Sequence, residues 1–219
     1  MSKIQRDITH LSSKTHTLSP KNKKELESII ENEISSQGIC ADLNHIDVSG
    51  ITDFSRLFEK TRFNGDISEW DVSNAKNMAG MFMRSSFDGD ISDWDVSAVT
   101  NMQEMFMESE FNQDISGWDV SNVTNMFDMF NGARSFNQDV SKWNVSNVTD
   151  MGGMFYDAKS FNGDISGWDV SNVNSMDNMF NGCASFNQDL SGWDISKVIY
   201  MMGMFNRCPC PEEYQPKFK

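Results

Sequence analysis

Residues 136–155 read Phe136-Asn137-Gln138-Asp139-Val140-Ser141-Lys142-Trp143-Asn144-Val145-Ser146-Asn147-Val148-Thr149-Asp150-Met151-Gly152-Gly153-Met154-Phe155, and a five-residue turn leads to Phe161, where the pattern begins again. Tryptophan marks the period, standing at 70, 94, 118, 143, 168 and 193, so the steps are 24, 24, 25, 25 and 25 residues. Trp70 to Met81 and Trp193 to Met204 both span 11 residues, which puts the extra residue in the turn after Met-Phe. That turn is Met83-Arg84-Ser85-Ser86 early in the chain and Asn131-Gly132-Ala133-Arg134-Ser135 later. Length variation confined to one place marks a surface loop between rigid parts. A degenerate first unit starts at Ile39, with Ile46-Asp47-Val48-Ser49 in place of Trp-Asp-Val-Ser and Leu57-Phe58 in place of Met-Phe. Seven units therefore fill residues 39–207.

A unit of this length is too short to be a domain and must bury its apolar face against its neighbours, which is the logic of a solenoid. Trp70 and Val72 lie two apart, as one face of a short strand requires, and Ile67 is out of phase with them, so a bend is expected near 68 and 69. Val123, Met126, Met129 and Phe130 follow the spacing of one apolar helical face, with Thr124 or Asn125 placed to cap it. The expected fold is a repeat solenoid, leucine-rich-repeat-like, of short strands plus short helical or 3₁₀ turns. The 16 Phe, 16 Met and 6 Trp are expected to stack as core ladders; a Trp ladder facing solvent would instead be a carbohydrate platform.

Open solenoid ends need covers. Ser19-Pro20 supplies an N-cap and first-turn proline, Leu26, Ile29, Ile30 and Ile34 form one apolar stripe, and Gly38 is a stop. A capping helix is thus expected within 19–38, after a flexible segment over 1–18. Cys208-Pro209-Cys210-Pro211 ends the last unit and begins a C-terminal cap or tail over 208–219. Cys208 and Cys210 could form a redox or metal half-site, but no histidine stands near them in sequence, so the expected reading is a terminal cap with incidental thiols.

Lys and Arg number 18 against 32 Asp and Glu, a net charge of −14. That balance argues against direct contact with nucleic acid or an anionic membrane and leaves open a basic partner, or one that ordinarily binds polyanions. No run of about 18 apolar residues is present, and Met1-Ser2-Lys3-Ile4-Gln5-Arg6-Asp7 lacks an apolar signal region. A cytoplasmic location is expected, with export outside the Sec route left open. The four cysteines, Cys40, Cys183, Cys208 and Cys210, are expected to be reduced.

The consensus Phe-Asn-x-Asp-Ile-Ser-x-Trp-Asp-Val-Ser-Asn-Val-Thr-Asn-Met-x-x-Met-Phe resembles the BspA-like, Mycoplasma-lipoprotein type of leucine-rich repeat, over residues 39–207. The resemblance implies a right-handed solenoid and a role in binding or adhesion, often at a cell surface. It supplies no catalytic residues.

No serine–histidine–aspartate set, glycine-rich phosphate loop or metal-spaced cluster occurs, and the polar residues recur with the units, so a non-enzyme with no cofactor is expected. Two carboxylate columns stand out. The first is Asp66, Asp90, Asp114, Asp139, Asp164 and Asp189; the second is Asp71, Asp95, Asp119, Asp169 and Asp194, interrupted by Asn144. Like charges stacked about 5 Å apart repel by roughly 1 kcal/mol per pair even in bulk water, so something must offset them. Turn amides within each unit could do so, and Asn144 fits because a neutral acceptor can take the same role. In the alternative the columns are a contact face, joined by the variable exposed positions Glu69, Asp93 and Lys142, with Glu104, Asp128 and Asp177 varying elsewhere in the unit. Three functions are then weighed in order: a protein-interaction scaffold, a DNA mimic that inhibits a nucleic-acid-acting protein, and a calcium-stabilised surface adhesin. Self-association through the solenoid ends is a further possibility.

Overall fold

The structure is a computed structural model and describes residues 16–218. Most of the segment expected to be flexible, residues 1–15, lies outside the described residues. Thr17 and Leu18 do not fit that expectation. The Thr17 amide donates to the His45 carbonyl at 3.0 Å, and Leu18 pairs in parallel with Ile46.

Each repeat lies directly on the next. A single parallel bridge joins Asp53 to Asn77, and the series continues through Asn101, Asn125, Asp150 and Ser175 to Tyr200, one residue per repeat. The segment after each bridge residue carries two interleaved hydrogen-bond systems. In one repeat, the amides of Met78, Gly80, Phe82 and Arg84 donate to the carbonyls of Asn101, Gln103, Met105 and Met107 in the next, at 2.7–2.9 Å. The intervening amides of Met81, Met83 and Ser85 turn back to Met78, Gly80 and Phe82 at 3.0–3.2 Å.

This arrangement corrects the expected helical segment over Val123–Phe130. An α-helix spends its amides on its own carbonyls four residues back and leaves none for a neighbour. Here a residue with positive φ recurs every fourth position, as Gly80 (+62°) and Arg84 (+56°) do, and stops a helix from propagating. The first such column is Arg56, Gly80, Glu104, Asp128, Gly153, Asn178 and Gly203; the second is Lys60, Arg84, Glu108, Gly132, Asp157, Gly182 and Arg207. Consecutive three-residue turns still put Val123, Met126, Met129 and Phe130 inside, which is why their spacing mimics a helical face. The expected bent strand at Ile67–Val72 is likewise replaced by turns: the Trp70 amide donates to the Ile67 carbonyl at 3.2 Å. Thr124 and Asn125 cap no helix. The Thr124 hydroxyl donates to the Thr100 carbonyl, and Asn125 Oδ1 accepts from the Phe127 amide.

The core is a set of aromatic columns. Phe58, Phe82, Phe106, Phe130, Phe155, Phe180 and Phe205 stack with centroids 5.5–5.8 Å apart. Trp70 stacks on Trp94 at 6.4 Å and Trp143 on Trp168 at 6.5 Å, all of them buried, so the tryptophans offer no sugar platform. Each indole is also tied to the repeat before it. Trp70, Trp94, Trp118, Trp143, Trp168 and Trp193 donate from Nε1 to the carbonyls of Leu43, Ile67, Ile91, Ile115, Val140 and Ile165 at 3.0–3.2 Å.

The helix α1 spans Lys23–Gln37 and buries Leu26 and Ile30 against the first repeat. Its N-cap is Asn22, whose side chain accepts from the Glu25 amide, rather than Ser19; Ser19-Pro20 precede the cap. Lys23 Nζ donates to Ser55 Oγ at 2.7 Å and stands 3.8 Å from Asp53, pinning the helix across the N-terminal end. Gly38 ends the helix with φ +92°, its amide bonded to the Ile34 carbonyl. At the other terminus a 3₁₀ turn at Glu212–Tyr214 folds back, and the Tyr214 carbonyl accepts from the Leu190 amide at 2.8 Å.

Candidate interaction surface

Both carboxylate columns are built by one local device. An aspartate followed two residues later by serine closes an Asx turn, because the carboxylate reaches the serine amide without strain. In the first column Asp66, Asp90, Asp114, Asp139, Asp164 and Asp189 accept through Oδ1 from the amides of Ser68, Ser92, Ser116, Ser141, Ser166 and Ser191 at 2.8–3.0 Å. In the second, Asp71, Asp95, Asp119, Asp169 and Asp194 accept from Ser73, Ser97, Ser121, Ser171 and Ser196 at 3.0–3.1 Å. Asn144 makes the same bond to Ser146, from amide (3.2 Å) and hydroxyl (2.7 Å). The offset to like-charge repulsion is therefore local, and a neutral acceptor serves the geometry equally well.

Structural use of one oxygen leaves the columns fully displayed. Every one of these aspartates is exposed. Hydrogen bonds from the serine hydroxyl and amide hold Asp119, Asp139, Asp164, Asp169 and Asp189 below the usual carboxylate range, and at Asp114 the Ser116 amide is the larger cause. These groups are anionic at any physiological pH.

Between the columns lies the variable position. Glu69, Asp93 and Lys142 are exposed there, and Gly117, Gly167 and Gly192 occupy the remaining repeats. Charge is consequently uneven along the face. Asp66, Glu69, Asp71, Asp90, Asp93 and Asp95 put six carboxylates on two adjacent repeats, around a pocket of about 200 Å³ lined by Ser68, Glu69, Asp90 and Asp93. Lys142 and Asn144 interrupt the face in the fifth repeat, where Lys142 helps hold Asp139 ionised. Glu104, Asp128 and Asp177 do not belong to this face. Glu104 and Asp128 occupy the first positive-φ column, where Glu104 reaches Arg56 at 3.1 Å, and Asp177 Oδ1 accepts from the Met202 amide.

Sequence reasoning missed the positive-φ columns and the ion pairs they carry, Arg56–Glu104 across two repeats and Arg84–Glu108 across one. Nor does it disclose a pocket of about 500 Å³ beside Glu110, Arg134 and Tyr156, where the repeat lengthens from 24 to 25 residues. The signal available was the recurrence of Gly, Asn and Asp in those slots.

The cysteines are free, and burial pushes the thiols of Cys183 and Cys208 up and that of Cys210 up to about 11. Cys208 and Cys210 each donate to a carbonyl of the preceding repeat, Phe186 and Gln188, so they seal the last turn as protonated thiols. Among the described residues no three His, Cys, Asp or Glu side chains converge to hold a metal ion, and no helix is long and apolar enough to cross a membrane.

No curated protein and no solved structure matches the chain. A family model does, once over residues 24–139 and again over 107–214. The chain therefore belongs to the repeat-containing family described as Mycoplasma protein of unknown function, DUF285.

Proposed function

We propose that the chain is a leucine-rich-repeat-like solenoid of the BspA-like type and works without catalysis, as a scaffold that binds a basic protein partner on its acidic face. The observation that carries this reading is the concentration of exposed carboxylates on two adjacent repeats, Asp66 to Asp95, flanked by two columns that continue to Asp194. A preorganised anionic surface steers and holds a cationic one, and its contribution falls with salt. Glu69, Asp93 and Lys142 differ between repeats and give the face a direction, with the centre of contact near the N-terminal end.

The experiment replaces Asp71, Asp95, Asp119, Asp169 and Asp194 together by Asn. Asn144 already shows the amide in the same turn, so the fold should survive and the circular dichroism spectrum should not change. Capture of a basic protein from host lysate by the wild-type chain, released by salt and lost in the variant, supports the reading; capture unchanged in the variant overturns it.

A DNA-mimic inhibitor is the second reading, favoured by the regular disposition of carboxylates at one per repeat in each column. It predicts that the captured protein binds duplex DNA and is displaced by it, because both ligands would occupy one site. A calcium-stabilised adhesin has less support, since one oxygen of each column carboxylate is held by serine.

A further inference from the structure

Over residues 201–207 the last repeat ends the stack with an edge of one hydrogen-bonding polarity. At the final internal junction the amides of Met176, Asn178, Phe180 and Gly182 donate to the carbonyls of Tyr200, Met202, Met204 and Asn206 at 2.7–2.9 Å. The corresponding amides of the last repeat, Met201, Gly203, Phe205 and Arg207, have no partner among the described residues. Gly203 and Arg207 keep the positive φ of their columns (+66° and +55°), so the edge has the shape that receives a further repeat elsewhere in the stack. The C-terminal tail does not cover it, being committed to Leu190 through Tyr214 and to Gln188 through Cys210.

Side chains at this edge differ from those of every other repeat. Where Thr100, Thr124, Thr149 and Asn174 stand, the last repeat has Ile199; where Asn77, Asn101, Asn125, Asp150 and Ser175 stand, it has Tyr200. Ile199, Tyr200 and Met202 are 74, 58 and 80% exposed. A terminal repeat that only met solvent would carry a polar outer face. This one is apolar beside a row of free donors.

We infer that the C-terminal edge is a docking site for a polypeptide segment of another protein, one that presents main-chain carbonyls at every second residue together with apolar side chains. A second copy of the chain is poorly suited. Two such edges brought together would oppose donors to donors and bury them unpaired, at the desolvation cost of each amide. The complementary carbonyl side of the stack is at the N-terminal end, over which α1 lies, held by Lys23 to Ser55 and Asp53. The contact is of the edge-addition type, with affinity from the main chain and selectivity from the apolar positions. It is separate from the acidic face.

The test uses the full chain and a synthetic peptide of residues 118–136, whose carbonyls at Asn125, Phe127, Met129 and Asn131 accept from the preceding repeat in the native stack. Saturable binding is expected, with hydrogen exchange at the amides of residues 201, 203, 205 and 207 slowed at least tenfold. Met202→Glu, at a position 80% exposed and outside the core, should weaken binding at least tenfold. The five-fold Asp→Asn variant should bind the peptide unchanged, so failure here is distinguishable from failure of the acidic-face reading. No binding at millimolar peptide, or protection confined to other amides, overturns the inference. So does a concentration-dependent dimer of the wild-type chain that Met202→Glu abolishes, since a second copy would then cover the edge.

Discussion

The indole of Trp118 donates to the carbonyl of Ile91, 3.1 Å away and 27 residues earlier, while its ring packs 6.3 Å from Phe106 in the repeat before its own. One side chain therefore does two jobs, filling the core and satisfying a buried carbonyl of another repeat. Shape and polarity can be separated by substitution. Trp118→Ala should cost about 3–5 kcal/mol, as large-to-small changes in a packed core do. Trp118→Phe, which retains most of the area but leaves the Ile91 carbonyl with only the Trp94 amide at 3.2 Å, should cost about 0.5–1.5 kcal/mol. Urea unfolding of both variants checks this; a loss below about 1 kcal/mol for the alanine would mean that the ring is not a core residue.

Gly153 has φ +61°, and a Cβ there would stand 2.0 Å from Asp128 Oδ1 of the preceding repeat. The two positions share a column in which a side chain from one repeat folds over the bare backbone of the next. Gly153→Ala should lose about 1–2 kcal/mol from the left-handed backbone alone, and the contact with Asp128 adds to it. Combining it with Asp128→Gly should recover the part due to the collision and leave the backbone part. Equal losses in the single and double variants would show that the two residues do not meet.

Asp128 also titrates against the trend of the columns. Burial raises its carboxyl above the ordinary value of 3.8, outweighing the Asn131 amide that holds Oδ1 at 2.7 Å, with the negative charges of Glu104 and Asp150 adding to the rise. The ionised form is the one that the fold disfavours, so the penalty is present above the folded value and disappears below pH 3.8. Asp128→Asn retains an acceptor for Asn131 and removes that charge. Its thermal midpoint should exceed the wild type's at pH 7, and the difference should vanish near pH 3.5. A lower midpoint at pH 7 would show that the charge is needed.

The column aspartates behave in the opposite sense. Asp114, Asp119, Asp139, Asp164, Asp169 and Asp189 lie below 3.8 in the folded chain because the serines bond the charged form. Their contribution to stability is complete above the unfolded value and is lost as pH falls through the folded ones. Stability should be flat with respect to these groups from pH 5 to 7 and should fall below about pH 3.8. Replacing Asp119 and Asp169 by Asn should lessen the acid loss, which denaturation followed from pH 6 to pH 2 would reveal. An unchanged acid limb would place the sensitivity elsewhere.

The sequence by itself determined the repeat, its length switch after Glu110, which residues face inward, and the location of a helix before the first repeat. These follow from periodicity, because a residue type that returns every 24 or 25 positions must return to the same environment. It also identified the carboxylate columns, and Asn144 correctly pointed to a local acceptor role. Only the tertiary structure decided how the backbone runs between those fixed points. Val123, Met126 and Met129 are spaced alike in a helix and in successive tight turns. What distinguishes them is where the amides go, and in this chain half of them go to carbonyls some 24 residues away in sequence. The positive φ of Arg84, Glu104 and Glu108 has the same origin, since none of these residues favours it and the ladder between repeats imposes it. The free amides at Met201, Gly203, Phe205 and Arg207 could be recognised only once that ladder was seen to end.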